Sequence, residues 1–171
     1  MLRHQGLPIG RPGIFDRCSC IFLFFSLLVS LASAGELPDP KLTPGVINSE
    51  IKQDNIQNSI CIRGYTKRIR PPASYTNHLK KKQIAQYGYG HANPKAFEED
   101  HLISLGIGGN PTDPKNLWPE PKNGHWSASR KNRLENRLHE LVCSMSLPLD
   151  NAQREISANW IEAYKKYIGP W

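Results

Sequence analysis

The chain has 171 residues, a formal net charge of +7 and a mean hydropathy of −0.52. That length fits one domain and excludes a chain too short to bury a core. The basic excess is compatible with a polyanionic partner and does not require one.

The first 34 residues read as a segment removed in maturation. Ile21 to Leu31 is one apolar run, Arg3, Arg11 and Arg17 precede it, and Ala32-Ser33-Ala34 closes it. This is the basic, apolar and small-residue succession of a secretory signal peptide. The run is shorter than the ~20 residues a membrane-spanning helix needs. The basic stretch before it is long, so translation could begin downstream of Met1. No second hydrophobic span occurs after it, so the mature chain is expected to be soluble and secreted or periplasmic. In such an oxidising compartment the two cysteines that remain, Cys61 and Cys143, most simply pair. Closing so long a loop stabilises by about 4–5 kcal/mol in chain-entropy models, and usually less in practice.

Residues 35–46 carry three prolines and two glycines and read as an extended arm. Residues 47–171 are expected to form a single domain. A weak helical pattern runs from Val46 to Ile60, and Cys61 to Thr66 suggests a short strand and turn. Arg70-Pro71-Pro72 interrupts the chain, since the residue before proline avoids helix. A helix is predicted from about Ser74 to Tyr87, with Ser74 as N-cap and Gly88 as stop. Its Lys80-Lys81-Lys82 run reads as a solvated face, with phosphate contact as the alternative.

His91 falls in a loop. Phe97 to Leu105 can form one strand, Gly106 to Pro114 is turn chemistry, and Asn116 to Trp118 can form a second strand. Two helices close the chain. The first, about Ser127 to Ser144, places Leu134, Leu138, Leu141, Val142 and Met145 on one stripe. The second starts at Asp150, with Gln153 completing a capping box, and carries Ala152, Ile156, Trp160, Tyr164 and Tyr167 on its apolar face. His78 and His139, on predicted helices, are expected to face solvent.

The chemistry-bearing stretch is Glu98-Glu-Asp-His-Leu-Ile-Ser-Leu-Gly-Ile-Gly-Gly109. Its glycines do not make a phosphate loop. No Lys-Ser/Thr comes after them and no helix clearly opens there. They read as turn residues supplying positive φ. Asp100-His101 is weak alone and gains weight from residues further down the chain. Asn116 lies fifteen residues after His101, His125 nine further, and Arg130, Lys131, Arg133 and Arg137 crowd the next helix.

In that order and spacing, Asp100-His101, Gly108-Gly109, Asn116-Leu117 and His125 resemble the HNH motif of the ββα-metal endonuclease superfamily. The likeness spans roughly residues 97–140. The longer string from Glu99 to Pro121 is similar to small exported bacterial proteins of HNH type. The fold this implies is α+β: a small β-hairpin and a helix forming a metal site, surrounded by further helices and stapled by one disulfide. The resemblance implies His101 as general base. Asp100, on the other face of the same strand, and His125 would ligate one divalent cation, Mg²⁺, Mn²⁺ or Zn²⁺. Asn123 or Asn132 could replace His125. Asn116 would brace the loop and orient His101. Arg130 and Lys131 would meet phosphates. The Cys-x-x-Cys pairs that many HNH proteins use for a structural zinc are absent here.

The expected function is an exported, metal-dependent endonuclease that hydrolyses DNA, or RNA, with weak sequence preference. The alternative is a non-catalytic module that grips nucleic acid or another polyanion. A third reading is an envelope protein with no nucleic-acid role.

Overall fold

In the computed structural model, residues 1–2 and 35–169 are described. The expected leader therefore lies outside the described residues. Residues 35–169 belong to one compact unit.

Proline and glycine punctuate the first half. A short helix α1 (Tyr65–Ile69) opens at Gly64, whose φ is 80°. It stops at Arg70, held extended because Pro71 is next. Helix α2 (Ala73–Gln86) begins directly after Pro72, one residue before the predicted span, and no side chain caps it. Strand β1 (Phe97–His101) pairs antiparallel with β2 (Leu117–Pro121) in a two-stranded sheet. Helix α3 (Ala128–Cys143) and helix α4 (Leu149–Tyr167) complete the order. The observed class is α+β, with one antiparallel hairpin and four helices among the described residues.

The core lies between α3, α4 and the segment joining the strands. Leu134, Leu138 and Val142 of α3 meet Ala152, Ile156 and Trp160 of α4, all of them fully buried. Leu102, Ile103 and Ile107 enter from the inter-strand segment, and Ile56 and Ile60 from the N-terminal part. Each such aliphatic side chain contributes about 1.5–3 kcal/mol by leaving water. The α4 axis breaks at Asn159, whose side-chain oxygen accepts from the N–H groups of Ile161 and Glu162 and so caps the second half.

Cys61 and Cys143 are bonded, with Cα atoms 5.6 Å apart and 82 residues between them in sequence. The staple ties the segment before α1 to the last turn of α3, as the two-cysteine count implies.

Several expectations are corrected. Cys61 to Thr66 forms turns and the start of α1, not a strand. Residues 35–46 are bonded to the rest of the domain. The Trp160 indole donates to the Glu36 carbonyl (3.0 Å), and the Thr43 hydroxyl to the Leu117 carbonyl (3.0 Å). Strand β1 ends at His101 rather than Leu105, because the Asn116 side chain captures both backbone groups of Ile103. Gln153 makes no capping box. It reaches inward to the Ile107 carbonyl (2.9 Å), and α4 starts at Leu149 after Pro148. Met145 lies past the helix end at φ 62° and is exposed.

Gly108 and Gly109 serve different ends. Gly108 sits at φ 78°, as a turn glycine should. Gly109 has no such angle, but a Cβ there would lie 1.7 Å from the Ile103 carbonyl oxygen and 2.9 Å from the Asn116 amide nitrogen. Backbone has to move to admit even one methyl. Gly109→Ala is expected to cost more than about 3 kcal/mol by urea denaturation. Gly88→Ala, at φ 72° but in open space, should cost about 1–2 kcal/mol.

Candidate active site

Register fixes the two faces of the hairpin. Glu98 opposes Glu120 and Asp100 opposes Trp118, so these four share one face. Glu99 opposes Pro119 and His101 opposes Leu117 on the other. Asp100 and His101 thus point to opposite sides, as period two requires.

The first face is acidic. Glu98, Asp100 and Glu120 each bring a carboxylate oxygen within 4.8 Å of the others. Glu120 is fully buried, and both its oxygens lack a hydrogen-bond donor. Its carboxyl is pushed well above the usual range by burial first and by the neighbouring Asp100 charge second. Burial also raises Asp100, but the Lys131 ammonium outweighs that and holds it below the usual carboxylate value. A proton shared by this pair therefore resides on Glu120.

The cation beside Asp100 comes from α3. Lys131 is completely buried. Its ammonium donates to Asp100 Oδ2 (2.6 Å), to the His101 carbonyl (2.7 Å) and to Glu135 Oε1. Those three acceptors use all of its donors. Burial lowers its pKa, yet Asp100, Glu135 and Glu120 together raise it above the lysine norm. The expected phosphate contact is corrected for this residue, because its charge is enclosed by carboxylates and has no route to solvent. Glu135 is raised to about 7 by burial, against the pull of Lys131.

His101 is 3% exposed. One ring nitrogen, Nε2, lies 2.9 Å from the Pro111 carbonyl oxygen. A carbonyl only accepts, so Nε2 carries the hydrogen. Nδ1 is then the basic nitrogen of the neutral ring. Burial is the main cause that lowers its pKa below 6.5.

Asn116 is fully buried and all of its side-chain bonds go to backbone. Its oxygen accepts from Ile103 N–H (3.0 Å) and Val46 N–H (3.3 Å), and its amide donates to the carbonyls of Ile103 (3.0 Å) and Asn110 (2.9 Å). Holding the Asn110 carbonyl fixes the peptide that leads into Pro111, the acceptor for His101. These bonds join the segment after β1, the Asn110 peptide and Val46 around one buried amide.

His125 is exposed in the loop before α3, edge-on to Trp126 at 5.1 Å. It is not part of the acidic group that Asp100 joins among the described residues. Asn123 is exposed in the same loop, and Asn132 lies further along α3. Arg130 stacks its guanidinium 5.6 Å from the Trp126 ring centre.

Sequence reasoning missed Glu98, Glu120 and Glu135, and it placed Lys131 outside. A signal was present. Lys131 stands three residues before Leu134, in register with Leu138 and Val142, on the stripe that turns inward. Glu98 and Asp100 are two apart on a strand and so share a face. Glu120 is hidden between Pro119 and Pro121, which look like a turn but lie within β2.

On the opposite face, Glu99 is raised to about 8, chiefly by burial, and both its oxygens lack a hydrogen-bond donor. Its neutral form is favoured by that burial. His139 is not solvent-facing. It is partly buried, with Nδ1 2.8 Å from the Gly106 carbonyl.

No family model, curated protein or solved structure matches this chain.

Proposed function

We propose that this chain is an exported, divalent-cation-dependent phosphodiesterase of HNH type that cleaves DNA, with a ββα-metal core made by β1, β2 and α3. The observation that carries the reading is His101: buried, neutral, and fixed by the Pro111 carbonyl in the tautomer that leaves Nδ1 basic. Asn116 supports that reading, because one of its four hydrogen bonds holds the Asn110 carbonyl, in the peptide that leads into the His101 acceptor.

The donor set fits a hard cation. Glu98, Asp100 and Glu120 offer only carboxylate oxygens, which suits Mg²⁺ or Mn²⁺ better than Zn²⁺. With His125 outside this group, the ligand pair Asp100 and His125 gives way to the three carboxylates. Four acidic groups crowd one buried lysine here, and a divalent cation would offset the surplus that a proton on Glu120 otherwise relieves. When bound, the cation supplies Lewis-acid stabilisation of charge on the phosphate and the leaving oxygen.

His101 Nδ1 takes a proton from water as the water oxygen bonds to phosphorus. The P–O bond to the departing sugar oxygen breaks, and that oxygen collects a proton from solvent. Asn116 holds the base in place, and Lys131 keeps Asp100 ionised. Export is supported by the Cys61–Cys143 bond.

Supercoiled plasmid incubated with the disulfide-bonded protein should be relaxed with Mg²⁺ or Mn²⁺ and left intact with EDTA. One observation favours the second reading, a non-catalytic nucleic-acid-binding module: Lys131 already supplies a cation to Asp100. Salt-sensitive DNA binding with no cleavage under any cation would select it.

A further inference from the structure

A cavity of about 330 Å³ opens beside the acidic cluster, between the end of α1, the segment after β1 and the outer face of α3. It has the size of a small-ligand site. Its lining is polar and rich in hydrogen-bond donors.

Arg70 stands at its rim, exposed, and makes no ion pair among the described residues. Its charge is felt by Glu98, Glu135 and His101, which places it within electrostatic reach of the proposed reaction centre. Ser104 also lines the cavity. It is 6% exposed, and its hydroxyl has no hydrogen-bond partner. Among the described residues nothing pairs with that buried hydroxyl. Asn132 and Asn136, one helical turn apart on α3, add exposed amides on the same side. The one acid in the lining, Glu135, is tied to Lys131.

An unpaired guanidinium, an unsatisfied hydroxyl and two amides form a donor array around one positive charge. Carboxylates and phosphates both accept from arginine, but the number of donors beyond the arginine fits the three or more acceptor oxygens of a phosphate. We infer that this cavity is a phosphate-binding subsite that seats a nucleotide unit next to the scissile bond, with Arg70 and Ser104 on its phosphate. This rests on the phosphodiesterase reading for its substrate, and the cavity itself stands on geometry alone. It also supplies the phosphate contact that Lys131 cannot make.

The test is a titration of the ¹⁵N-labelled full-length mature protein with thymidine 5′-monophosphate and with inorganic phosphate, read by amide shifts. Both should move Ser104, Gly106, Asn132 and Asn136, and Arg70→Gln should weaken both at least tenfold. Ser104→Ala should weaken both by a smaller factor. Arg70 is exposed, so the Arg70→Gln protein keeps the wild-type spectrum elsewhere and its folding is read in the same experiment. Shifts at other amides, or affinities unchanged by Arg70→Gln, would overturn the subsite. Plasmid cleavage by wild type, measured alongside, separates the two ideas. Cleavage without Arg70-dependent binding removes the subsite and leaves the enzyme. Arg70-dependent binding without cleavage keeps the subsite and removes the enzyme.

Discussion

His101→Ala is expected to lower the rate of phosphodiester cleavage by about 10²–10⁴-fold while leaving the fold intact. The ring is the proposed base, its tautomer is fixed by the Pro111 carbonyl, and its neutral form is favoured because burial lowers its pKa below 6.5. A general base works when unprotonated. At saturating cation, the acidic limb of the wild-type pH–rate profile should therefore fall below pH 6.5, and it should vanish in the alanine variant. Plasmid relaxation across pH 5–8 measures both. Equal rates for the two proteins would remove His101 from the chemistry. Asn116→Ala is a weaker probe of the same idea, because it frees the loop and costs stability at once.

The largest stability effect is expected at Lys131. Lys131→Met keeps the length and apolar stem of the side chain but strips the cation from Asp100 and Glu135. Removing one partner from a buried ion pair costs about 3–5 kcal/mol, because the charge left behind is uncompensated. The loss should depend on pH in a defined direction. Without lysine, the folded-state pKa values of Asp100 and Glu135 rise. An acid whose folded pKa exceeds its unfolded value stabilises the fold at low pH, and that contribution is lost as pH rises from the unfolded value toward the folded one. The gap between variant and wild type should thus be small near pH 4 and widest above pH 7. Urea denaturation at both ends checks it. Adding Asp100→Asn to Lys131→Met should recover part of the loss, since it removes one of the stranded charges.

The same linkage acts in the wild type. Glu135, raised to about 7, and Glu99, raised to about 8, both take up protons on folding near neutral pH. Each contribution is present below the usual carboxylate value of 4.5 and fades as pH climbs through its folded pKa.

How much of this is legible in the sequence varies with the physical signal. The apolar stripes of α3 and α4 carry their own period, so both helices can be read to within a residue or two. Period two places Asp100 and His101 on opposite faces. Cysteine count and a secretory leader pattern point to the Cys61–Cys143 bond. The misreadings depend on long-range partners. Strand β1 ends at His101 because the Asn116 side chain, 13 residues beyond Ile103, takes the Ile103 backbone, and no local propensity encodes that. Gln153 has the spacing of a capping residue but is drawn to the Ile107 carbonyl inside the core. Lys131 is misread when its charge is weighed and its position is not. Charge alone says surface, whereas its place on the inward stripe of α3, among buried carboxylates, says core.

The proposed chemistry depends most on the acidic face of the hairpin, and not the loop bearing His125, holding the cation. Paramagnetic broadening by Mn²⁺ in the ¹⁵N spectrum of the mature protein tests this most directly. Substoichiometric Mn²⁺ should erase the amides of Glu98, Asp100 and Glu120 first, and Glu120→Gln should raise the concentration needed by at least tenfold. Broadening centred on His125, or spread evenly over exposed acids and unchanged by Glu120→Gln, would contradict that assignment.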